Sequence, residues 1–375
     1  MSSVKNTRSA LERGEAAFLP TLPAGARILI VRLRSLGDAV LTTPALRALK
    51  RWRPDLRLSI LLYPRFAPVL AGNPNLEEIL ELDPGVPSGW ARVIRTVAEL
   101  RRRDFTAAFN LHGGTLSALL TRLSGAPHRA GFSYFRFRLA YTLTADVRTV
   151  FGRNRLHAVE NQIALFYAAG LPQREIPPLE VFPQPEARAA VSQRLAQRGL
   201  APGTRYALLH PIATFFTKEW PFERYGELAR WLEEEHGLAP VLTCGPGEGA
   251  KLDAVARGYG KALLRLEDLP VPELVALIEG AALFVGNDSG PGHIAAALER
   301  PLVVLFGSSD SMAWRPWSRS APQSGVVQNP YPCNPCRGDR CYAFAQPECI
   351  LSITPEQVRA AVERVLAPAG VARMA

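Results

Sequence analysis

Short apolar runs alternate with amphipathic helical patterns along this chain, and this alternation most constrains its fold. The run RILIVRL at 27–33 is apolar almost throughout, which is typical of a parallel strand buried on both faces. Further strands are predicted at 56–62, 78–82, 106–111, 206–210, 240–243, 262–266, 281–285 and 302–306. Strands that alternate with helices in this way predict α/β domains with parallel sheets.

The length and the proline distribution predict two domains of similar plan. At 375 residues the chain is long enough for two cores, and a proline-rich stretch at 172–185 is the predicted linker. We expect a flexible N-terminal arm at 1–24, an α/β domain at 25–180, and a second α/β domain at 181–375 that ends in a helix. Ligands bind beyond the carboxyl ends of such strands, so the two sheets are expected to face a central cleft.

Composition narrows the class of protein. Hydrophobic residues make up 47% of the chain and charged residues 21%, which is typical of a globular protein. No apolar run reaches the roughly 18 residues of a membrane-spanning helix, and the N-terminus lacks a secretory signal pattern, so we expect a cytoplasmic protein. The net charge of +10, carried mostly by arginine, favours an anionic partner such as nucleic acid, an acidic membrane surface or a small substrate.

Several familiar catalytic motifs are absent from the sequence. No G-x-G-x-x-G follows the first predicted strand, and G-x-x-x-x-G-K-[ST], H-E-x-x-H and G-x-S-x-G do not occur. These absences argue against a dinucleotide-dependent dehydrogenase, a P-loop NTPase, a zinc metalloprotease and a serine hydrolase.

The stretch LFVGNDSGPGH at 283–293 is a candidate phosphate-binding turn between a strand and a helix. Gly290 and Gly292 have no Cβ, so a ligand can approach the backbone closely there. The amides and the dipole at a helix N-terminus also favour phosphate. The alternative is a glycine-rich turn that only joins strand to helix.

Two other strand ends carry candidate catalytic side chains. Asp38 follows Gly37 where the first strand passes into a helix, and a carboxylate there can act as a general base. A helix-capping aspartate is the alternative. Thr214 and Lys218 follow the strand at 206–210, where a lysine ammonium can neutralise a leaving phosphate. An ordinary surface lysine is the alternative.

Two segments have unusual compositions. The segment 128–157 holds six arginines among several aromatic residues, which suits contact with an anion or a sugar, although a basic loop with its rings in the core fits equally. Cys333, Cys336, Cys341 and Cys349 crowd into the segment 333–349 with the spacing C-x2-C-x4-C-x7-C. Such crowding indicates a zinc or other metal site, a disulfide, or reduced thiols, and the spacing does not decide among them.

The chain resembles glycosyltransferase family 9, which includes the ADP-heptose:lipopolysaccharide heptosyltransferases. The resemblance rests on ILIVRLRSLGDAVLTTPALRALKRWRPD, on HPIATFFTKEWPFERYGELARWL with TCGPGEGAKLD, and on VGNDSGPGHIAAALERPLVVLFGSSD. It implies the GT-B architecture of two Rossmann-like domains. The N-terminal domain is implied to bind the acceptor, and the C-terminal domain the nucleotide sugar.

The resemblance also implies roles for individual residues. Asp38 is implied as the catalytic base, and Lys218 as the group that stabilises the leaving diphosphate. Donor contacts are implied for Thr214, Glu248, Asp288, Ser289, Gly290, Gly292 and His293. Acceptor contacts are expected for Ser35, Gly37, Arg136 and Arg138. No cofactor is expected in catalysis, while a structural zinc at the cysteines stays open.

The resulting hypothesis is an inverting transfer of heptose from ADP-heptose to an anionic inner-core lipopolysaccharide acceptor. Peripheral contact with the inner membrane surface is expected, and nucleic acid is not. One alternative keeps the fold but uses another nucleotide sugar or an acceptor outside lipopolysaccharide. A second alternative is a basic, zinc-bearing nucleic-acid-binding protein, which only the charge and the cysteines support.

Overall fold

A computed structural model describes residues 11–14, 17–82, 89–318 and 324–367. The chain divides into two units, Met1–Phe182 and Pro183–Ala375. Each unit is built on a mainly parallel sheet with helices, so the predicted α/β class with two Rossmann-like domains is confirmed. In the described ranges, no helix combines the length and the apolar character that crossing a membrane requires.

The first unit contains, in its described part, a seven-stranded sheet with the order β1-β7-β6-β5-β2-β3-β4. All neighbouring pairs are parallel except β1 with β7. The strands are β1 (Leu11–Gly14), β2 (Arg27–Val31), β3 (Arg57–Leu62), β4 (Glu78–Glu81), β5 (Ala107–Asn110), β6 (His128–Phe132) and β7 (Leu143–Ala145). The helices are α1 (Leu36–Trp52), α2 (Trp90–Arg101), α3 (Thr115–Leu123), α4 (Val147–Phe151) and α5 (Ala158–Ala168).

The second unit contains, over the residues described, a six-stranded parallel sheet with the order β10-β9-β8-β11-β12-β13. The strands are β8 (Tyr206–His210), β9 (Ala239–Thr243), β10 (Leu264–Leu266), β11 (Leu283–Asn287), β12 (Leu302–Leu305) and β13 (Ser324–Val327). The helices are α6 (Pro185–Gln197), α7 (Phe222–His236), α8 (Leu252–Tyr259), α9 (Val271–Gly280), α10 (Gly290–Ala297), α11 (Ser311–Trp314), α12 (Glu348–Leu351) and α13 (Pro355–Leu366).

Both sheets have a topological switch point next to their first long parallel strand. β2 lies between β3 and β5, and β8 lies between β9 and β11, so successive connections leave in opposite directions. Open α/β sheets bind ligands in the crevice beyond the carboxyl ends of the strands at such a point. Asp38 follows β2, Lys218 follows β8 and Asp288 follows β11, so the candidate residues lie at these crevices.

Helix α1 begins earlier than its proline predicts. A proline at position 44 makes a regular helix expected only from about residue 43, or a kink there, but α1 begins at Leu36 and contains Pro44. Proline cannot donate the backbone hydrogen bond that the Val40 carbonyl would receive. The Thr43 hydroxyl donates to that carbonyl instead, at 2.8 Å, so the acceptor stays satisfied inside the helix.

The flexible arm predicted at 1–24 is wrong for its later residues. Residues 1–10 and 15–16 lie outside the described part, while β1 pairs with β7. Phe18 is 3% exposed because its ring stacks on His128, with the centroids 4.8 Å apart, and Leu19 is fully buried. Phe18, Leu19 and Leu22 therefore belong to the core of the first unit.

The arginine-rich segment at 128–157 is more regular than its composition suggests. It contains β6, β7 and α4, none of which the sequence predicted. Its rings divide between core and surface: Phe132, Phe135 and Tyr141 are buried, whereas Tyr134 and Phe137 are exposed. The interpretation that places the rings in the core therefore holds for three of the five, while contact with an anion or a sugar stays a prediction.

Candidate active site

Asp38 lies in the first turn of α1, where it also caps the helix. Its carboxylate accepts hydrogen bonds from the Ser35 amide and the Ser35 hydroxyl, both at 3.2 Å. Ser35 is the N-cap residue and Asp38 is the third helical residue, which is the arrangement of a capping box. The capping interpretation is therefore correct. It does not exclude a catalytic role, because two carboxylate oxygens can accept further hydrogen bonds.

Arg32 is a partner of Asp38 that the sequence did not reveal. Its guanidinium forms an ion pair with the Asp38 carboxylate and donates to the Leu111 carbonyl. The Arg32 side chain is only 11% exposed and that of Asp38 20%, so water screens the pair weakly. Arg32 thus ties the turn after β2 to the end of β5 and holds the carboxylate in one orientation.

His112 lies beside this pair, in the turn after β5. The Asn110 side chain accepts from the amides of His112 and Gly113, at 2.9 and 3.3 Å, and so fixes the turn. Burial and the positive charges of Arg32 and Arg34 lower the pKa of His112 to about 4. The imidazole is therefore neutral at pH 7, and one of its ring nitrogens is left without a proton and can accept a hydrogen bond.

Arg136 and Arg138 lie on the connection that follows β6, and both are exposed. The Arg136 guanidinium lies over the Phe137 ring at 5.6 Å, and Arg138 donates to the Ser133 carbonyl at 2.5 Å. The same connection packs against the turn that contains His112, since a Cβ built on Gly113 would meet the Phe135 ring at 2.4 Å. Three candidate loops of the first unit therefore adjoin one another.

Lys218 and Asp288 form an ion pair at the switch point of the second sheet. The Lys218 ammonium lies 2.8 Å from the Asp288 carboxylate, and their side chains are 22% and 8% exposed. The two residues are 70 positions apart in the chain. The structure thus brings together the candidates from two separate motifs.

Asn287 fixes both of these loops, and the sequence analysis missed it. Its side-chain oxygen accepts from the Trp220 amide at 3.3 Å and from the Tyr225 hydroxyl at 2.9 Å. Its side-chain nitrogen donates to the Pro211 carbonyl at 2.6 Å. Asn287 is fully buried and immediately precedes Asp288, so it clamps the loop after β8 to the end of β11. The sequence feature that could have identified Asn287 is its position, as a polar residue at the end of a buried strand.

Two buried polar atoms at this switch point lack a hydrogen-bond partner within the described ranges. They are the Ser289 Oγ, at the N-cap of α10, and the His210 Nδ1, at the end of β8. His210 pairs with Gly286 across the sheet, and burial lowers the pKa of His210 to about 4. Buried polar atoms are normally paired, so these two suit the polar groups of a ligand.

The N-terminus of α10 differs in one detail from the predicted phosphate cradle. Gly290 begins the helix, and its first turn contains Pro291, which has no amide hydrogen. The Gly292 amide already donates to the Ser289 carbonyl at 3.2 Å. The Gly290 amide at the N-terminus of α10 is therefore a better candidate for binding a phosphate than the Gly292 amide. His293, in the same helix, is buried.

The remaining donor candidates lie on loops of the same edge. Thr214 is exposed in the loop after β8. Glu248 lies after β9, and its carboxylate accepts from the Gly245 amide at 2.8 Å. Lys251, three residues on, reaches Glu219 at 2.8 Å. This ion pair joins the loop after β9 to the loop that carries Lys218.

The metal site considered at the cysteines finds no support. Within the described residues, no group of three or more histidine, cysteine, aspartate or glutamate side chains is placed to hold a metal ion. Cys333, Cys336, Cys341 and Cys349 are free thiols. The zinc interpretation rested on spacing alone, and the described residues give it no further support.

Residues 93–343 match the sequence pattern of glycosyltransferase family 9 (heptosyltransferase). Lipopolysaccharide heptosyltransferase 3 of Escherichia coli K12 is 28% identical over 347 residues, which cover 89% of this chain and 96% of that protein.

Two solved structures share the fold. The family 9 glycosyltransferase from Veillonella parvula DSM 2008 superimposes with a TM-score of 0.77 at 22% identity, over 91% of this chain and 97% of that one. The E. coli ADP-heptose lipopolysaccharide heptosyltransferase II gives a TM-score of 0.73 at 23% identity, over 91% and 98% of the two chains.

Proposed function

Since this chain belongs to glycosyltransferase family 9, the heptosyltransferases, we propose that it transfers a heptose from ADP-heptose to an inner-core lipopolysaccharide acceptor. The observation that carries the proposal is the Lys218–Asp288 pair beside the N-terminus of α10, at the switch point of the second sheet. A cation and a helix entrance suit a diphosphate, and a carboxylate suits sugar hydroxyls. E. coli heptosyltransferase II, which shares the fold, is described as an ADP-heptose enzyme.

The donor is held by the loops after β8, β9 and β11. Lys218 and the Gly290 amide bind the diphosphate, while Thr214 and Ser289 offer hydroxyls to it. Asp288 accepts from hydroxyls of the heptose, and Glu248 contacts the nucleoside. The Asp288 carboxylate lies 2.8 Å from the Lys218 ammonium and holds it in place, so little rearrangement is needed to bind a diphosphate.

The acceptor is activated by Asp38. Its carboxylate takes the proton of the attacking hydroxyl, whose oxygen forms a bond to C1 of the heptose. The bond from C1 to the phosphate oxygen breaks as this happens, and ADP leaves with the electron pair. Attack opposite the leaving group inverts the anomeric carbon. Lys218 and the dipole of α10 stabilise the charge that develops on the departing diphosphate.

The specific donor is tested by calorimetry with ADP-heptose, UDP-glucose and GDP-mannose. We expect ADP-heptose to bind at least about tenfold more tightly than either of the others, a difference of about 1.4 kcal/mol. ADP alone serves as the control, since it separates recognition of the nucleotide from recognition of the sugar. Tighter binding of a UDP- or GDP-sugar would favour the alternative of a different donor on the same fold.

Arg136 and Arg138 are proposed to bind the anionic groups of the acceptor. Replacing both with alanine should raise the acceptor KM about 10- to 100-fold, because the pair together should contribute about as much as one well-formed hydrogen bond to a charged group, ~1.5–3 kcal/mol. Both side chains are exposed, so water weakens each contact. The donor Kd should stay unchanged. Arg122→Ala, which removes an exposed arginine from the last turn of α3, is the control. A weaker donor Kd with an unchanged acceptor KM would contradict the assignment.

The same connection is also proposed to touch the inner membrane surface. Leu139 is 86% exposed and Phe137 37%, and both alternate with the two arginines. Apolar tips between cationic side chains suit the interface of an anionic bilayer. This proposal is tested by sedimentation with anionic phospholipid vesicles. The fraction of protein bound to the vesicles should be lower for the variant with alanine at both Arg136 and Arg138 than for Arg122→Ala.

A further inference from the structure

We propose that the cysteine segment 333–349 positions Lys218 by holding Thr217, the residue before it. The inference rests on the proposed role of Lys218 in donor binding and adds the group that keeps its ammonium in place. Thr217 is a positioning residue here, because it contacts the protein and acts through its neighbour.

The Thr217 hydroxyl is the centre of this contact. Thr217 is 1% exposed, and its Oγ1 lies 3.1 Å from the Ser308 Oγ and also contacts the Gly338 carbonyl. A carbonyl can only accept, so Thr217 donates to Gly338, and the Ser308 hydroxyl donates to Thr217 in turn. One side chain thereby joins the Lys218 loop to the cysteine segment and to the loop after β12.

The cysteine segment is itself anchored to the sheet. The Cys336 amide donates to the Ser308 carbonyl at 3.0 Å, and the Asn334 side chain donates to the Gly307 carbonyl at 2.8 Å. Gly307 is the second residue after β12, and a Cβ built on it would lie 2.3 Å from the Thr217 carbonyl oxygen. The segment is therefore fixed to the end of a central strand at a point where the backbones meet closely.

The cysteines contribute packing to this contact. All four line a cavity of about 20 Å³ together with Thr217 and Ser308, which is close to the smallest volume that holds one water molecule. Cys349 is buried, and burial raises its pKa to about 11, so its thiol stays neutral at pH 7. The Cys349 thiol therefore packs as a small apolar group. With the other three cysteines it lines the space behind Thr217.

The backbone that carries Lys218 needs the support of Thr217 because its own secondary structure is short. Residues Phe216–Lys218 form a single 3-10 turn, in which Phe216 is 53% exposed. A 3-10 turn has poor hydrogen-bond geometry and little stability of its own. Thr217 is the buried member of this turn, so its hydrogen bond fixes the direction in which the next side chain points.

The test replaces Thr217 with valine, which keeps the shape of the side chain and removes its hydroxyl. We expect the donor Kd to weaken about tenfold and turnover to fall, because Gly338 loses its donor and the turn shifts. Thr217→Ser restores the hydroxyl and should bring the donor Kd back to within about twofold of the native value. Thr121→Val removes a buried hydroxyl in the first unit that donates at 2.7 Å, and is the matched control for lost stability alone.

A double-mutant cycle separates this inference from the proposed function. Where Lys218 is already methionine, Thr217→Val should have no further effect on the donor Kd, since its effect passes through the ammonium. An undiminished effect in that background, or a native donor Kd for Thr217→Val alone, overturns the inference. If Lys218→Met itself leaves donor binding and turnover unchanged, the proposed function fails instead. Should Thr217→Val not fold, Ser308→Ala replaces it, with an expected weakening of about threefold and the same cycle.

Discussion

Replacing Asp38 with asparagine is expected to lower turnover by about 10²- to 10⁴-fold, the range typical of lost general-base catalysis. The amide has nearly the shape of the carboxylate but cannot take a proton from the acceptor hydroxyl. Its oxygen can still accept from the Ser35 amide, so the capping box is largely kept. Initial rates at saturating donor and acceptor measure the loss, and calorimetry should give a nearly native donor Kd.

The control for Asp38 must separate catalysis from helix capping. Asp146 is the N-cap of α4, and its carboxylate accepts from the Arg148 amide at 2.9 Å. Asp146→Asn should therefore change thermal stability by a comparable, small amount and leave turnover unchanged. If Asp38→Asn lowered the melting temperature but kept native turnover, Asp38 would be a capping residue and the proposed mechanism would be wrong.

The parallel strands could be predicted because they are buried on both faces. Runs such as RILIV in β2 and YALLH in β8 have no polar alternation, and turn residues bound them, so few other structures fit. β7 reads LTA and β13 reads SGVV, so neither has the continuous apolar run that marks a strand such as β12, which reads LVVL. Each becomes a strand because a neighbouring strand, β6 or β12, offers unpaired backbone groups along its edge. Which strands are neighbours depends on tertiary structure.

The candidate site could be predicted at its strand ends but not in its pairings. Lys218 and Asp288 stand out because each follows a strand in a glycine- or threonine-containing turn. Their 2.8 Å contact requires β8 and β11 to be neighbours in the sheet. The order of strands in a sheet cannot be predicted from the spacing of motifs along the chain. Arg32 was missed for a related reason. It lies at the end of its own strand, and only the adjacent turn gives it a partner.

The zinc interpretation is a case in which a sequence pattern suggests a site that the structure does not support. A knuckle-like spacing of cysteines is a strong cue only when the local fold converges the thiols on one point. Here the segment bonds through its backbone and Asn334 to the loop after β12. The four cysteines line one small cavity with Thr217, yet within the described residues they do not form a group placed to hold a metal ion. Spacing identifies which residues are near each other in the chain, whereas coordination depends on the direction of every Sγ.

Replacing Lys218 with methionine should lower turnover by about 10²- to 10³-fold, since a preorganised group that stabilises a leaving anion contributes on this scale. Methionine has a similar length but no charge, so the departing diphosphate loses its cation. The donor Kd should weaken as well, because the diphosphate is charged before the reaction. Asp288 is 8% exposed and loses its partner, so the melting temperature should also fall.

Two further variants decide what the Lys218 result means. Arg194 in α6 forms an ion pair with Glu273 in α9 at 2.7 Å in the same unit, and the Glu273 side chain is 14% exposed. Arg194→Met should therefore reproduce the loss of stability without the loss of turnover. Lys218→Arg keeps the positive charge and should recover part of both donor binding and turnover, although a planar guanidinium fits the site differently. Equal losses of turnover in Lys218→Met and Arg194→Met would mean that Lys218 acts through the fold alone, and the leaving-group assignment would have to be abandoned.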